Sequence, residues 1–187
     1  MTDEAKRRKT VAFHEAGHAV AAWVRRVPFD VVTIVKGEGY LGRLCWRDTP
    51  IPELRSSPFW LPEELRSLTP TAVGLIDDRI VVTYAGSLAG SEFIRKPEDG
   101  LGEQDREIAQ RLVDKIDVEY LGGEYPEGAS GPVDEPYLRH QRLVTLKKEA
   151  ERIVTSHWAV TAVANMLLER RTLSGADVQL FMREVIP

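Results

Sequence analysis

Residues 10–24 read Thr-Val-Ala-Phe-His-Glu-Ala-Gly-His-Ala-Val-Ala-Ala-Trp-Val. Between Val11 and Val24 the only polar side chains are His14, Glu15 and His18. A run this apolar, stopped by Pro28, reads as a buried helix over 10–26. His14 and His18 are four residues apart, so on a helix they stand one turn above each other on the same face. That spacing lets two imidazoles hold one zinc ion, with Glu15 beside the water that such a site activates. Two histidines and a carboxylate buried in an apolar helix are costly unless something pairs with them, and a metal ion does so. Gly17 lowers helix propensity in the middle of this element. Its position predicts the close approach of another element, for which the Gly86/Gly90 helix is the candidate.

A catalytic zinc site needs a third protein ligand. On a helix following Gly102, the residues Leu101, Asp105, Ile108, Leu112 and Ile116 share one apolar face. Glu103, Glu107, Gln110, Asp114 and Asp117 share the opposite face. Asp105 is therefore the carboxylate that faces the core, and it is the first candidate; Glu103 and Asp99 stand next. An aspartate in the first turn of a helix is also favoured by the helix dipole without any metal. His140 and His157 read as solvated or capping residues.

Outward from these segments the chain is helix-rich with a minor sheet. Strand-like runs at 31–35 and 40–46, joined by Lys36-Gly37-Glu38-Gly39, read as a hairpin or neighbouring strands. Residues 47–70 carry five of the eleven prolines and read as a loop, with one turn of helix at 62–67. Helices are predicted over 72–94, 103–118 and 137–170, the last broken near Ser156, and a Gly/Pro loop over 121–136. A final helix opens at Ser174 with Asp177 three residues on, a variant of the capping box. Cys45, Trp23, Trp60 and Trp158 read as packing residues, and Lys6-Arg7-Arg8-Lys9 as a solvated basic helix start.

The chain's 187 residues, 43% apolar and 29% charged, form one domain over 1–187 with a real core. A net charge of -4 argues against nucleic acid as a partner. The single cysteine excludes an internal disulfide, and with no secretory signal pattern the expected compartment is the reducing cytoplasm. No apolar run reaches the roughly 18 residues that a membrane span needs.

Three segments, VAFHEAGHAV, VVTIVKGEGYLGRL and GEQDREIAQRLV, resemble in order the peptidase domain of FtsH, the membrane-bound AAA+ zinc protease family. The opening EAKRRKTVAFHEAGHA and the ending LLERRTLSGADV are similar to that domain's first and last helices. The resemblance implies a mainly α zinc-metallopeptidase fold carrying a small β hairpin or sheet. It also implies one Zn2+ held by His14, His18 and Asp105, with Glu15 as the catalytic residue and an unfolded or extended polypeptide as substrate. Family peptidase domains form hexameric rings, so a homo-oligomer or a separate AAA+ ATPase is the expected partner. Two departures stand out. No G-x-x-x-x-G-K-[ST] phosphate loop occurs in this sequence, and the 47–70 stretch looks longer than the family connection. The competing reading is a zinc-binding interaction protein or partner-dependent subunit with little activity alone. The intact Glu15 argues against a structural zinc, which has no use for a base.

Overall fold

The computed structural model describes residues 2–47, 70–93, 102–116, 118–121, 134–156 and 158–185. In chain order these form α1 (Asp3–Val24), β1 (Phe29–Thr33), β2 (Arg43–Trp46), α2 (Pro70–Phe93), α3 (Glu103–Val113), α4 (Val118–Leu121), α5 (Glu135–Ser156), α6 (Ala159–Arg170), β3 (Thr172–Ser174) and α7 (Gly175–Val185). The fold is helix-rich with one small antiparallel sheet, as expected.

Helix α1 begins earlier than the apolar pattern indicates, because Thr2 caps it. The Thr2 hydroxyl accepts from the Ala5 N–H at 3.3 Å, and Asp3 and Glu4 sit in the first turn, where the helix dipole favours acids. Residues 3–9 are exposed, which leaves the basic Lys6–Lys9 run in solvent, and the helix enters the core at Thr10. There it packs against α2 and α6, and α2 packs in turn against α5 and α3. Val20, Ile76, Ile80 and Leu167 are among the fully buried residues of these helices.

The sheet has the order β2-β1-β3, and β1 pairs antiparallel with both neighbours. Val32 lies opposite Leu44 on one side and Leu173 on the other, and all three are buried. One inward rung of period-two residues thus ties the sheet to the helices. The strands differ from the expected ones. β1 runs from Phe29 to Thr33, and Val35 beyond it is 49% exposed. β2 starts at Arg43 because residues 37–40 form a tight turn closed by a Gly37–Tyr40 bridge, with Gly39 at φ +79°. The third strand is not legible in the sequence, since three residues are too short to show a period.

The helix expected over 103–118 ends at Val113. Lys115 and Ile116 donate to the carbonyls of Leu112 and Val113, so the last turn tightens and the chain swings Ile116 into the core. The break near Ser156 is found between α5 and α6. The capping box at α7 is found as well. Ser174 N–H and Oγ lie 2.8 and 2.6 Å from Asp177 Oδ2, while Asp177 N–H donates back to Ser174 Oγ at 3.0 Å. Those bonds from Ser174 hold the Asp177 carboxyl below its ordinary range. Two packing expectations need correction. Trp158 is 53% exposed, meeting Phe181 edge-on, and Cys45 is half-buried on β2. The loops expected over 47–70 and 121–136 fall almost wholly outside the described residues, as do Trp60, His157 and Asp99.

Candidate metal centre

The site lies where α1, α2 and α3 meet. Gly17 is what allows α1 and α2 to close there. A Cβ on Gly17 would stand 2.3 Å from the Ala85 carbonyl oxygen and 2.6 Å from the Ala89 Cβ. The predicted close approach is therefore real, although the residues facing Gly17 are Ala85 and Ala89. Gly86 serves the neighbouring contact, since a Cβ there would stand 2.3 Å from the His18 ring. At this distance the imidazole of His18 reaches α2 backbone, and its Nδ1 lies 2.8 Å from the Val82 carbonyl oxygen. A carbonyl only accepts, so Nδ1 donates to it, and Nε2 is the ring nitrogen that faces the cluster.

His14 and His18 stand as their spacing predicts. Their Nε2 atoms are 3.1 Å apart with the rings nearly perpendicular at 89°. Asp105 enters from the first turn of α3. Its Oδ2 lies 3.4 Å from His14 Nε2 and 3.7 Å from His18 Nε2. One ligand atom from each of the three residues falls within 4.8 Å of the others. Glu103 is exposed on the far side of α3, as the periodicity indicated, and His140 is exposed on α5. Among the described residues, Asp105 is the carboxylate grouped with the two imidazoles.

The electrostatics suit a cation. His14 is 9% exposed, and burial is the main reason its imidazole is pushed down to about 4; His18 adds to the effect and Asp105 opposes it. At neutral pH His14 is therefore neutral, the state in which an imidazole binds a metal. Glu15 is 4% exposed, and burial, reinforced by the charge of Asp105, pushes its carboxyl well above the ordinary range. Among the described residues two buried polar atoms, His14 Nδ1 and Glu15 Oε2, have no hydrogen-bond partner. A two-histidine, one-carboxylate donor set converging at one point, with one tautomer fixed from behind, fits a zinc ion with an open position.

A cleft of about 340 Å3 opens on this cluster, with Leu44, Trp46, Thr83 and Ile108 among its walls and Tyr40 and Arg43 near the hairpin. The Arg79 guanidinium packs over the Trp46 ring at 4.9 Å. Gly42 covers Glu15 from the sheet side, where a Cβ would stand 2.6 Å from its Oε1. Sequence reasoning missed Gly42, Tyr40 and Trp46 as site residues. Their signal was diluted because the hairpin region reads as a strand whichever face it turns to the cleft.

These features define a helix-borne His/His/Asp cluster of the kind that can hold a metal ion, with a carboxylic acid beside it. No protein-family model matches the chain. Among curated proteins it is similar to the ATP-dependent zinc metalloprotease FtsH of Acidimicrobium ferrooxidans, with 30% identity over 204 aligned positions. The alignment takes in 95% of this chain and 28% of that protein, so the chain spans little more than a quarter of its relative's length. The similarity supports a relationship to the FtsH family. Among the described residues no helix is long and apolar enough to cross a membrane.

Proposed function

We propose that this chain is a zinc-dependent metalloendopeptidase acting on unfolded or extended polypeptides. The observation that carries the proposal is the convergence of His14, His18 and Asp105 beside a buried, uncommitted Glu15. When bound by those three residues, zinc supplies Lewis-acid polarisation of a carbonyl and lowers the pKa of water toward neutrality. Glu15 takes the proton from the attacking water and delivers it to the leaving amine. Burial and the neighbouring Asp105 raise its proton affinity above that of an ordinary carboxylate, which favours uptake of the proton it has to carry. His18, held by the Val82 carbonyl, stays oriented throughout.

The substrate backbone has a natural docking line. β2 ends the sheet on one side among the described residues, and its Leu44 and Trp46 line the cleft. An extended peptide laid along β2 pairs by main-chain hydrogen bonds and passes its bond over the cluster. The activity is expected within a ring of identical chains or beside a separate AAA+ ATPase that delivers unfolded polypeptide.

The test is the zinc content of wild type and Glu15→Gln, together with cleavage of unfolded casein by both. The expected result is one zinc per chain in each protein and cleavage by wild type alone. The rate should fall by about 10²–10⁴ on loss of the base. Zinc in both with cleavage in neither would favour the partner-dependent form, and no zinc in either would refute the proposal. Asp105→Ala should weaken zinc binding itself; full zinc occupancy in that variant would unseat Asp105 as ligand.

A further inference from the structure

Ser87 stands on α2, one residue beyond the glycine against which His18 packs. Its hydroxyl donates to Asp105 Oδ2 at 2.8 Å. That oxygen is the one lying 3.4 Å from His14 Nε2 and 3.7 Å from His18 Nε2. Among the described residues this is the one side-chain hydrogen bond that Asp105 receives. From these contacts we infer that Ser87 is a positioning residue for the metal centre, one that holds the Asp105 carboxylate with Oδ2 turned toward the two imidazoles. The inference rests on the metal-binding reading of the site given above.

Asp105 needs such a partner. It sits in the first turn of α3, and the Gly102 cap of that helix offers no side-chain hydrogen bond. A carboxylate there is free to turn about its side-chain torsions or to fold back on the exposed N–H groups of its own helix end. Each carboxylate oxygen has two lone-pair sites. With the Ser87 hydroxyl on one site of Oδ2, a second remains for a cation between the imidazoles, and the charge-assisted bond sets its direction.

The backbone around Ser87 is cut to permit this contact. A Cβ on Gly102 would stand 2.6 Å from Ser87 Oγ and 2.9 Å from Ser87 Cβ, and Gly102 adopts φ +93°. A side chain at position 102 would push the serine aside and strain the turn at once. Helix α2 thereby braces two of the three ligands, His18 through the Val82 carbonyl and Asp105 through Ser87. Partners of this kind orient ligands, and their removal typically costs about 10- to 100-fold in metal affinity.

The experiment is zinc affinity by chelator competition for wild type, Ser87→Ala, Asp105→Asn and the double variant, with a melting curve of each metal-free protein. Ser87→Ala is nearly isosteric and favours helix, so the fold should be kept. The expected result is a loss of about 10-fold or more on Ser87→Ala in the wild-type background and little further loss in the Asp105→Asn background. Unchanged affinity in Ser87→Ala, or an equal loss in both backgrounds, would overturn the positioning role while leaving the zinc site standing. Failure of wild type to take up zinc would remove both.

Discussion

The two halves of α2 bury charge in opposite ways. Toward its N-terminal end, Asp77 receives Arg142 through two nitrogens at 2.8 and 2.6 Å, while the same guanidinium donates to the carbonyls of Tyr120 and Leu121. Asp78 beside it receives Arg25 Nε at 2.7 Å, and Arg25 reaches on to Glu149 at 3.1 Å. Asp77, Asp78, Arg25 and Arg142 each meet an opposite charge there. Further along, α2 meets His18 and Asp105, and in that cluster a neutral imidazole and a carboxyl with raised proton affinity leave two atoms, among the described residues, unpartnered. The same helix thus shows that this fold can satisfy buried charge when stability alone is at stake. The end that stays unsatisfied is the end to which the proposed function assigns the metal and the base.

The comparison is broken most directly at the satisfied end. Arg142→Ala strands Asp77 and two carbonyl oxygens in partly buried positions, and it should cost about 3–5 kcal/mol of stability, measured by urea unfolding. A cost near zero would mean that the N-terminal network is ornamental and that the contrast has no energetic content. Next in size is the seam between α1 and α2 beside the cluster. Gly17→Ala places a methyl against the Ala85 carbonyl and Ala89, which are backbone and a rigid side chain, so relief requires α1 and α2 to part. The expected loss is about 1–3 kcal/mol, together with weaker zinc binding because the His18–Val82 contact depends on the same approach. A neutral Gly17→Ala would show that the helices yield there.

Much of the ligand side of this centre is legible in the sequence, and little of its support is. His14, Glu15 and His18 are bound to one helical face by their spacing. Asp105 is singled out because it alone among the nearby carboxylates falls in phase with Ile108, Leu112 and Ile116. Ser87, Val82 and Gly42 carry no such mark. A serine or a backbone carbonyl in a buried helix is chemically unremarkable until another element stops beside it. The same distinction holds for the fold: long periodic helices are found, whereas β3 exists because β1 offers it an edge and not through any pattern in Thr172–Ser174.

Glu15→Gln sharpens the contrast from the functional end, and here the sign should reverse. Burial raises the proton affinity of Glu15 in the folded, metal-free protein, whereas in the unfolded chain it titrates near 4.5. Above that pH the unfolded state has released a proton that the folded state still holds, so stability falls as pH rises toward the folded value. Glutamine keeps the shape and has no proton to lose. The metal-free variant should therefore be more stable than wild type at pH 8, by about 1–3 kcal/mol, with the gap closing as pH approaches 4.5. A variant less stable than wild type at pH 8 would show that Glu15 is satisfied after all.

The smallest effect belongs to a site outside both halves, and it serves as the control. Ser174 and Asp177 cap α7 by reciprocal hydrogen bonds on an exposed surface, remote from α2 along the chain. Ser174→Ala should cost about 1 kcal/mol through the lost cap. Because the two sites share no partner, that cost should add to the cost of Arg142→Ala within about 0.5 kcal/mol and leave zinc affinity unchanged. Zinc binding that weakened with Ser174→Ala would mean that the centre senses global stability. The losses expected from Gly17→Ala and Ser87→Ala would then have to be measured against that baseline before either was assigned to the geometry of the ligands.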